Sequence, residues 1–557
     1  MNQPGRALFL LVGFFASAGD LRAEVCPPNL RQLPEHRAAG PPSSSPPVAG
    51  PSGRSTPVKP VTLVERSPTG YPVSMLQAIV EETSPASVRS AVLATYQRAQ
   101  GAYQWSDGMA LAPAGRQLVR LVQEASLHGI SVSGLAPQRL ARFVDALEWN
   151  AQLLVGSDTK ENHVRSVIRL RRLLFADLDA QLTASALALA QRMGVSSAEG
   201  ELLADVLVSK EERNAWVTSL VPWHPQYQRL LPVLARYQRY AEGDGFETLE
   251  ESAELSVGSV GTGVASLRRR LRQEGFESAV RDDSAPFGNA LRQDLRDFQY
   301  SRGLPVTGVM DSQTHSALNI PLPRLIRQIR ETLNTWRESP TRGEQTFLQV
   351  NLPEFVVELY RGRERQMRHR AVIGYAFGSG GGRTKRFHSQ VEQVVLNPGW
   401  TPSQDIINNN LKPREEASPG YLQRRGFRWF TRPSGQRGLY QSPGPNNTLG
   451  RVKLRFPNEN NIYLHGSPDQ DQFELAARAM SHGCVRVQDV EELALELLVR
   501  DNMMDRAEFD GVLASQRTQE IRLTEPMPIH FEYAMVVVDD DAAVRFLPNV
   551  YRQRSRR

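Results

Sequence analysis

Two different spacings of apolar residues divide this chain of 557 residues. In the N-terminal part, apolar residues recur at the spacing of amphipathic helices, as in 118–125 and 140–147. After residue 345 they alternate with polar residues over short runs, as in 347–351, 355–359 and 369–373, which is typical of strands. The sequence therefore predicts a multidomain α+β protein in which helical modules precede a β-rich C-terminal domain.

A small helical unit is predicted between residues 256 and 322. Two amphipathic helices and the turns that end them are defined by Leu267, Leu271, Gly275, Leu291, Leu295, Phe298, Gln299, Gly303 and Leu304. These helices are followed by Gly308, Asp311, Thr314, Leu318 and Asn319. A longer helix over 325–336 then links this unit to the β-rich domain.

The first residues have the composition of a secretory signal peptide. Arg6 precedes the apolar run 7–15, and the small residues 16–18 form a cleavage site. A membrane anchor is the alternative, although the run is shorter than a bilayer-spanning helix. We predict a signal peptide at 1–23, followed by a Pro/Ser/Gly-rich disordered linker at 24–61.

Charge and cysteine content narrow the function classes. The net charge of +6 is carried mostly by scattered arginines, without the grouping of basic and aromatic residues that indicates nucleic-acid binding. The two cysteines, Cys26 and Cys484, are too few for a disulfide framework in a chain of this size. Cys484 is the only cysteine in the part of the chain predicted to fold.

The sequence around Cys484 combines the groups that thiol acyl transfer needs. In chain order they are Tyr463, His465, Gly466, Ser481, His482, Gly483, Cys484 and Arg486. A thiol becomes a strong nucleophile when a neighbouring base removes its proton, and backbone amides can then stabilise the oxyanion. An arginine can hold an anionic substrate. These residues alone leave open whether His465 or His482 is the base.

Local patterns predict how this segment folds. Residues 461–465 alternate as a strand that places Tyr463 and His465 on one side. Capping-box spacing at 471–474 predicts a helix to about residue 479, and the same spacing at 489–492 predicts a second helix. Between them, 481–486 form a tight turn that enters a short strand, with Arg486 on the side of Cys484.

Each of these residues has an alternative interpretation. A lone cysteine is often a small buried apolar residue, although the polar Ser-His-Gly-Cys context disfavours that here. His465, His482 and Cys484 are also candidate zinc ligands, but zinc sites usually have a closely spaced ligand pair and a fourth ligand. Arg486 is otherwise one more surface arginine.

The motif resembles the catalytic signature of the YkuD-type L,D-transpeptidases, which is a histidine, a spacer of similar length and then Ser/Thr-His-Gly-Cys-x-Arg/Asn. The resemblance extends upstream to 441–450 and 462–465, which are similar to the large periplasmic branch of that family, and to 395–402, which fit its Asn-Pro-x-Trp segment. One departure is Gly466-Ser467, where that branch often has an acidic residue and a threonine.

The resemblance implies roles for the residues of the motif. Cys484 is the nucleophile and His465 is the base, oriented by the backbone carbonyl of Gly466. Amides near Gly483 and Cys484 form the oxyanion hole. The residues implied in shaping the loop or binding substrate are Arg486, His482, Ser481 and Tyr463. No metal and no cofactor is implied, and carbapenems are expected to acylate the thiol.

The resemblance also implies a domain organisation. Residues 62–255 are a helical scaffold domain, 256–322 a small three-helix peptidoglycan-binding domain, and 323–345 the linking helix. Residues 346–557 are the L,D-transpeptidase catalytic domain, with a capping insert at about 405–438. For the small domain, a generic helical subdomain is the alternative.

The implied function is a periplasmic L,D-transpeptidase of cell-wall synthesis, with effects on cell shape. Cys484 forms a thioester with the third residue of a tetrapeptide stem, releases D-alanine, and transfers the acyl group to an amine on another stem. Alternatives are an L,D-carboxypeptidase or wall-peptide hydrolase with the same nucleophile, and a catalytically silent wall-binding scaffold. Expected partners are peptidoglycan stem peptides, with a wall-anchored protein acceptor and other wall-synthesis enzymes as further candidates; no nucleic acid is expected.

Overall fold

The computed structural model describes residues 77, 79–81, 86–108, 110–155, 161–193, 210–250, 254–276, 282–341, 345–375 and 382–552. The chain divides into two compact units, Met1–Glu65 and Arg66–Arg557, and every described residue belongs to the second. The predicted signal peptide and linker lie outside the described residues. So does the glycine-rich stretch 376–381.

Helices fill the described chain before residue 345. Their bounds are α1 Ala86–Arg98, α2 Pro113–Gln123, α3 Pro137–Val155, α4 Glu161–Arg192, α5 Lys210–Ser219, α6 Pro225–Glu242, α7 Thr262–Glu274, α8 Asn289–Ser301, α9 Ser312–Leu318 and α10 Leu322–Glu338. The helices predicted from apolar spacing are confirmed, since 118–125 overlaps α2 and 140–147 lies within α3. The helix predicted over 325–336 lies within α10, whereas the linking segment assigned to 323–345 extends past the end of that helix at Glu338.

Helix α4 is the core of the first helical group. By length and composition its stretch Arg165–Arg192 could cross a membrane, but 94% of the apolar window is buried inside the protein. Asp179, in the middle of this helix, accepts hydrogen bonds from the Gln104 amide at 2.7 Å, the Trp105 amide at 2.8 Å and the Tyr96 hydroxyl at 2.8 Å. This buried carboxylate therefore ties α1 and the turn after it to α4.

The small unit of α7, α8 and α9 has an apolar core of its own, built around Leu267, Leu295 and Phe298. Gln299 organises its turn, since its side chain accepts from the Gly308 amide at 2.8 Å and donates to the Val309 carbonyl at 2.9 Å. The Phe-Gln pattern of the sequence thus has a structural role, because it closes the turn between α8 and α9.

Buried charges fasten this small unit to α6. Glu274 at the end of α7 accepts from Arg270 at 2.8 Å and from Arg302 at 2.6 Å, and it also accepts a hydrogen bond from Tyr237 of α6. All three charged side chains are nearly inaccessible to solvent. Removing the unit would leave the groups of α6 unpaired, so single surface substitutions test its role better than a deletion does.

The described part of the C-terminal domain contains the strands β1 Thr346–Asn351, β2 Val356–Arg361, β3 Glu364–Gly374, β4 Phe387–Leu396, β5 Phe427–Thr431, β6 Arg437–Gln441, β7 Val452–Arg455, β8 Leu464–His465, β9 Ala479–Ser481, β10 Val485–Val487, β11 Gln519–Glu532, β12 Val536–Val538 and β13 Val544–Phe546. Nine of them form one sheet in the order β10-β8-β7-β4-β11-β1-β2-β3-β9. Because β10 also pairs with β3, the sheet closes on itself around an apolar core.

The insert between β4 and β7 forms its own small layer. It contains α11 Gln404–Ile406, a π-helical turn Ile407–Leu411, α12 Lys412–Ala417, α13 Tyr421–Arg424 and the hairpin β5–β6. Ile407, Leu411, Leu422, Phe427 and Leu439 form its core. After β10 follow α14 Val490–Arg500 and α15 Arg506–Ser515. Two single 3₁₀ turns lie at Leu352–Glu354 and Gln470–Glu474.

Helices α6 and α10 pack directly on the C-terminal domain. Residues of α6, α10, β12 and β13 share one apolar cluster. The side-chain amide of Gln226 accepts from the Val538 amide at 2.8 Å and donates to the Val538 carbonyl at 2.9 Å, as a neighbouring strand would. The helices and the C-terminal domain are therefore joined through the separate two-stranded sheet of β12 and β13.

Three local predictions were wrong. The helix expected to reach residue 479 is only the 3₁₀ turn Gln470–Glu474, and the chain then enters β9. The reason is tertiary, because Arg478 donates to the Ala371 and Phe355 carbonyls while β9 pairs in parallel with β3. The strand expected over 461–465 is confined to β8.

The capping box at 489–492 was also wrong, although its helix α14 exists. Asp489 has a left-handed backbone conformation (φ 50°) and its side chain makes no capping hydrogen bond. Glu492 instead pairs with Arg506. The amphipathic pattern that drives α14 into the core was sufficient for the helix without the cap.

Buried neutral histidines make the fold sensitive to acid. His224 Nδ1 accepts from the Gln226 amide at 3.2 Å, and its ring stacks on Trp336 with centroids 4.1 Å apart. Burial lowers the pKa of His224 to about 3, and burial lowers the pKa values of His128 and His388 to about 4. In the unfolded chain these rings would titrate near their ordinary pKa, about 6.5.

We expect stability to fall as the pH drops below about 6.5 and to keep falling to about 4, because the unfolded chain then binds more protons than the folded one. Each such histidine contributes a slope of about 1.4 kcal/mol per pH unit in that window. Asp179 acts in the opposite direction, since burial raises its pKa to about 6. Urea unfolding between pH 7 and 4.5 measures the sum. A flat profile, or an unchanged slope in His224→Asn, would contradict this account.

Candidate active site

Strand register brings the predicted site residues together. In the parallel pair of β8 and β10, Arg486 lies opposite His465 and Val485 lies opposite Leu464. Leu464 and Val485 are fully buried in the core of the sheet. Since neighbouring residues of a strand point to opposite faces, His465 and Arg486 share the other face of the sheet.

Tyr463 and Cys484 lie directly before β8 and β10, and their contacts place them beside this pair. The ring centroids of Tyr463 and His465 are 5.5 Å apart. Tyr463 and Arg486 in turn act on the Cys484 thiol. The antiparallel neighbour β7 adds Lys453, which lies opposite His465.

The ring of His465 is buried and its orientation is fixed. Its Nδ1 lies 2.6 Å from the Gly466 carbonyl oxygen. Because a carbonyl only accepts, Nδ1 carries the proton and Nε2 keeps its lone pair. Burial, followed by the charge of Arg486, lowers the pKa of His465 to about 3. The neutral ring is thus maintained across the physiological pH range with one basic nitrogen.

Gly466 is packed against another glycine. A Cβ on Gly450 would lie 2.8 Å from the Gly466 Cα, so the two backbones could not approach as they do. The close contact places the Gly466 carbonyl beside the ring of His465. This gives a packing reason for the glycine at 450, whereas a Cβ on Gly466 would make only a tight contact of 3.2 Å with Val490 Cγ1.

Cys484 is partly buried, and its environment contains opposing influences. Burial raises the pKa of the thiol, whereas the backbone and side chain of Tyr463 and the charges of Lys453 and Arg486 lower it. The sulfur lies 3.7 Å from the Asn461 carbonyl oxygen. The resting thiol is therefore protonated by default, and the surrounding donors and cations favour the thiolate once the proton leaves.

Hydrogen bonds from distant segments hold the loop that carries Cys484. Ser481 Oγ donates to the Cys484 carbonyl at 2.5 Å and accepts from the Gly483 amide at 3.2 Å. Thr384 Oγ1 donates to the Gly483 carbonyl at 2.8 Å and accepts from the Gly374 amide at 2.9 Å. Gly483 has φ 114°, a conformation that favours glycine. The loop is thus preorganised, while the oxyanion-hole role of the Gly483 amide stays a prediction.

Arg486 carries a positive charge that no carboxylate neutralises at contact distance within the described residues. Its guanidinium donates to the side-chain carbonyl of Gln472, and its Nε is buried without a partner there. Burial is the main influence that lowers the pKa of Arg486. An unneutralised guanidinium beside the thiol is a candidate anion-binding group.

His482 lies outside the paired strands β8 and β10, and burial, followed by the charge of Arg486, lowers its pKa. It is exposed, and its ring meets the edge of Tyr375 with centroids 5.3 Å apart. Across the described part of the chain, no three or more His, Cys, Asp or Glu side chains are arranged to hold a metal ion. The structure therefore does not assemble His465, His482 and Cys484 as zinc ligands.

The capping insert borders this site. Burial is the main influence that lowers the pKa values of His482 and Arg486. Two residues of the insert have smaller effects. Asp405 raises the pKa of His482, and Arg414 lowers the pKa values of both His482 and Arg486. Arg425 lies 3.8 Å from Asp469, on the chain that follows β8. Charged residues of the insert therefore lie near His482, Arg486 and the chain that follows β8.

Sequence reasoning missed Lys453, Thr384 and Gln472. The alternating run of β7 could have shown which residues share a face with Lys453, but not which strand would pair with it. Thr384 lies a hundred residues before the loop that it holds, and nothing local indicates that contact. The sequence analysis included Trp400 only as part of the segment 395–402. In the structure, burial raises the pKa of the Tyr463 phenol, and a hydrogen bond with the Trp400 side chain lowers it by a smaller amount.

Comparison with known proteins gives two family matches. Residues 345–504 match the model described as "YkuD: L,D-transpeptidase catalytic domain", and residues 260–318 match "Putative peptidoglycan binding domain". A curated protein of Haemophilus influenzae named "Putative L,D-transpeptidase" is 25% identical over 217 residues, which are 36% of this chain and 43% of the relative. The chain therefore spans less than half of the length of that relative.

Two solved structures were also aligned. The L,D-transpeptidase of Xylanimonas cellulosilytica is 16% identical, with 51% of this chain and 98% of that chain covered and a TM-score of 0.17. The L,D-transpeptidase of Stackebrandtia nassauensis is 11% identical, with 52% and 97% covered and a TM-score of 0.19. Superpositions with such TM-scores carry no argument about this chain.

The site and every strand of the closed sheet except β11 lie in the segment that matches the L,D-transpeptidase catalytic domain model, residues 345–504. The small helical unit before it contains the segment that matches the peptidoglycan-binding domain model, residues 260–318. The predicted family resemblance and the multidomain α+β organisation are confirmed.

Proposed function

We propose that this protein is an L,D-transpeptidase that acts on peptidoglycan stem peptides, with Cys484 as nucleophile. The observation that carries the proposal is the register of β8 and β10, which supports Cys484, His465 and Arg486 acting on one face beside the capping insert. Each of the three has an environment suited to its part: a held thiol, a neutral imidazole and an unneutralised cation.

The proposed reaction has two halves. The Cys484 thiol loses its proton to Nε2 of His465 and its sulfur attacks the carbonyl carbon of the third stem residue. The C–N bond to the terminal D-alanine breaks, and the leaving amine takes the proton from the imidazolium. A thioester results. An amine on a second stem then attacks it, loses a proton and displaces the thiolate, which is reprotonated.

Electrostatics support this sequence of events. Because burial holds the pKa of His465 low, the imidazolium exists only transiently and readily returns its proton to the leaving amine. Arg486 is proposed to bind a stem carboxylate, since its charge lacks a contacting anion among the described residues. Ser481 and Tyr463 are proposed to position the loop and the sulfur.

The function is tested by incubating the purified mature protein with disaccharide tetrapeptides and separating the products by mass. A cross-linked dimer together with free D-alanine supports transpeptidation. D-alanine with a tripeptide product, and no dimer, would make the protein an L,D-carboxypeptidase. No product at all would favour the alternative of a catalytically silent wall-binding scaffold.

A second test separates thiol chemistry from a metal site. Activity lost in a strong chelator and restored by zinc would favour the metal alternative, whereas loss on thiol alkylation supports Cys484.

Export to the periplasm is part of the proposal. It is supported by the basic and apolar pattern of residues 6–18 and by a domain set whose family descriptions concern the cell wall. A fusion of residues 1–61 to a reporter that is active only outside the cytoplasm tests it. A reporter that stays inactive would contradict export.

Residues 256–322 are proposed to bind the wall and to raise the local concentration of substrate. Val257 and Val260 are exposed at 50% and 72% on this unit. We expect Val257→Ser with Val260→Ser to lower pelleting with isolated sacculi by about fivefold, roughly 1 kcal/mol, while turnover of soluble muropeptides is kept.

Leu127→Ser is the matched control for this substitution, because Leu127 is exposed at 43% on the first helical group. Equal pelleting of the two variants and the unmodified protein would mean that these valines do not bind the wall. The double variant leaves the buried pairing of Glu274 intact, so its fold should be unchanged.

A further inference from the structure

Lys453 lies against the aromatic ring of Tyr463. Its Nζ is 3.8 Å from the ring centroid, in the geometry of a cation–π interaction. The position is set by β7, where Lys453 is opposite His465. Tyr463 in turn acts on Cys484, because hydrogen bonds from its backbone and its side chain lower the pKa of the Cys484 thiol.

The ammonium of Lys453 is half-buried and forms no salt bridge with any carboxylate in the described ranges. Its neighbour Arg455, two residues further along the same strand, is different. Arg455 is more exposed, donates to Gln393 at 2.9 Å and lies 3.6 Å from Glu520. A half-buried cation without a contacting anion is costly unless a negative charge develops near it.

We propose that Lys453 is a positioning residue, which holds the Tyr463 ring against the Cys484 sulfur and supplies a permanent positive charge that stabilises the thiolate. This inference rests on the proposed function and deepens it. Lys453 acts through Tyr463 and through space, and no contact with substrate is involved.

The chemistry of the site makes such a charge useful. His465 is buried and neutral, so the resting site does not hold a thiolate beside an imidazolium. Burial also works against ionisation of the thiol. A fixed ammonium lowers the energy of the thiolate whenever the proton leaves. It simultaneously disfavours a resting charge on His465, and Lys453 is among the groups that lower the pKa of that ring.

Several charged or titratable groups face Lys453 and the sulfur, and they must be considered together. On or next to the strands β8 and β10 they are Tyr463, His465 and Arg486. Arg455 on β7 lowers the pKa of Lys453, after the larger effect of burial, and Glu520 on β11 raises it. Arg486 is the second cation at the thiol. Its charge remains in a Lys453 variant, so the expected effect is a shift and not a loss of thiolate formation.

The test is the pH dependence of Cys484 alkylation by iodoacetamide in the full protein, followed by intact mass. In Lys453→Met, which keeps the apolar stem, we expect the midpoint to rise by up to about one pH unit and the rate near pH 7.5 to fall about three- to tenfold. Lys453→Arg should restore the profile. The matched control Arg455→Met removes the same charge from the same strand and should leave the midpoint unchanged.

Acyl transfer gives the second measurement. In Lys453→Met the kcat for D-alanine release should fall near neutral pH and recover at higher pH, with KM unchanged. A superimposable alkylation profile would overturn the proposal, as would an equal shift in Arg455→Met. Normal alkylation together with a raised KM would assign Lys453 to substrate binding instead, and would overturn it as well.

Failure of the proposed function is distinguishable from failure of this inference. Alkylation reports the thiolate whether or not the protein transfers acyl groups. A protein without transferase activity, whose alkylation profile still shifts in Lys453→Met and returns in Lys453→Arg, would contradict the proposed function and support the role of Lys453.

Discussion

Replacing Cys484 with alanine is expected to abolish D-alanine release and dimer formation, by about 10⁴-fold or more, because no thioester can form. Carbapenem acylation, which the family resemblance implies, should disappear from the intact mass at the same time. The loop should keep its structure, since the hydrogen bonds of Ser481 and Thr384 involve the backbone of residues 483 and 484. Substantial turnover in Cys484→Ala would refute the assignment of the nucleophile.

The companion variant Cys484→Ser separates size from chemistry. A hydroxyl fills nearly the same space but ionises far less readily than a thiol, so the variant should remain almost inactive although it folds like the unmodified protein. Thermal unfolding of the three proteins compares their folds. Activity restored by serine would mean that the site has a base stronger than the buried His465.

The second large effect is expected in His465→Ala, which should lower kcat by about 10²–10⁴-fold through loss of the general base. The matched control is His482→Ala, because His482 is the other histidine of the motif and is exposed beside Tyr375. We expect a much smaller loss there. Far-UV circular dichroism should be unchanged in both variants. A larger loss in His482→Ala than in His465→Ala would reverse the roles of the two histidines.

The same assignment fixes the form of the pH profile. The pKa of His465 is about 3, so the base stays neutral down to strongly acidic pH. Burial raises the pKa of Cys484, so the thiolate fraction keeps increasing above neutral pH. Activity should therefore rise through pH 7 to 9 without an inflection near the ordinary pKa of histidine, about 6.5. An inflection there would point to His482.

Some elements were readable because their cause is local. The amphipathic spacing of α14 is sufficient to produce the helix, and the Phe298-Gln299 pattern marks the turn that the Gln299 side chain closes. The short strand expected after the tight turn was equally readable, since β10 begins directly after Cys484. These features depend on backbone geometry over a few residues.

Other expectations failed where a distant segment competed with local preference. Residues 471–479 have the spacing of a capped helix, yet Arg478 bonds to two carbonyls of another part of the chain and β9 pairs with β3. Asp489 is a residue type that often caps helices, but its backbone is left-handed and its side chain makes no capping hydrogen bond. Local propensity is worth little when tertiary hydrogen bonds oppose it.

The sequence by itself determined the chemical groups of the site, their order and the class of domain that carries them. Only the tertiary structure decided that His465 and Arg486 lie side by side, that Lys453 joins them and that the ring of His482 meets Tyr375. It also decided the proton position on His465 and the support of the Cys484 loop by Thr384. The reason is physical, because pairing register, burial and the field of unpaired cations arise from contacts between segments far apart in the chain.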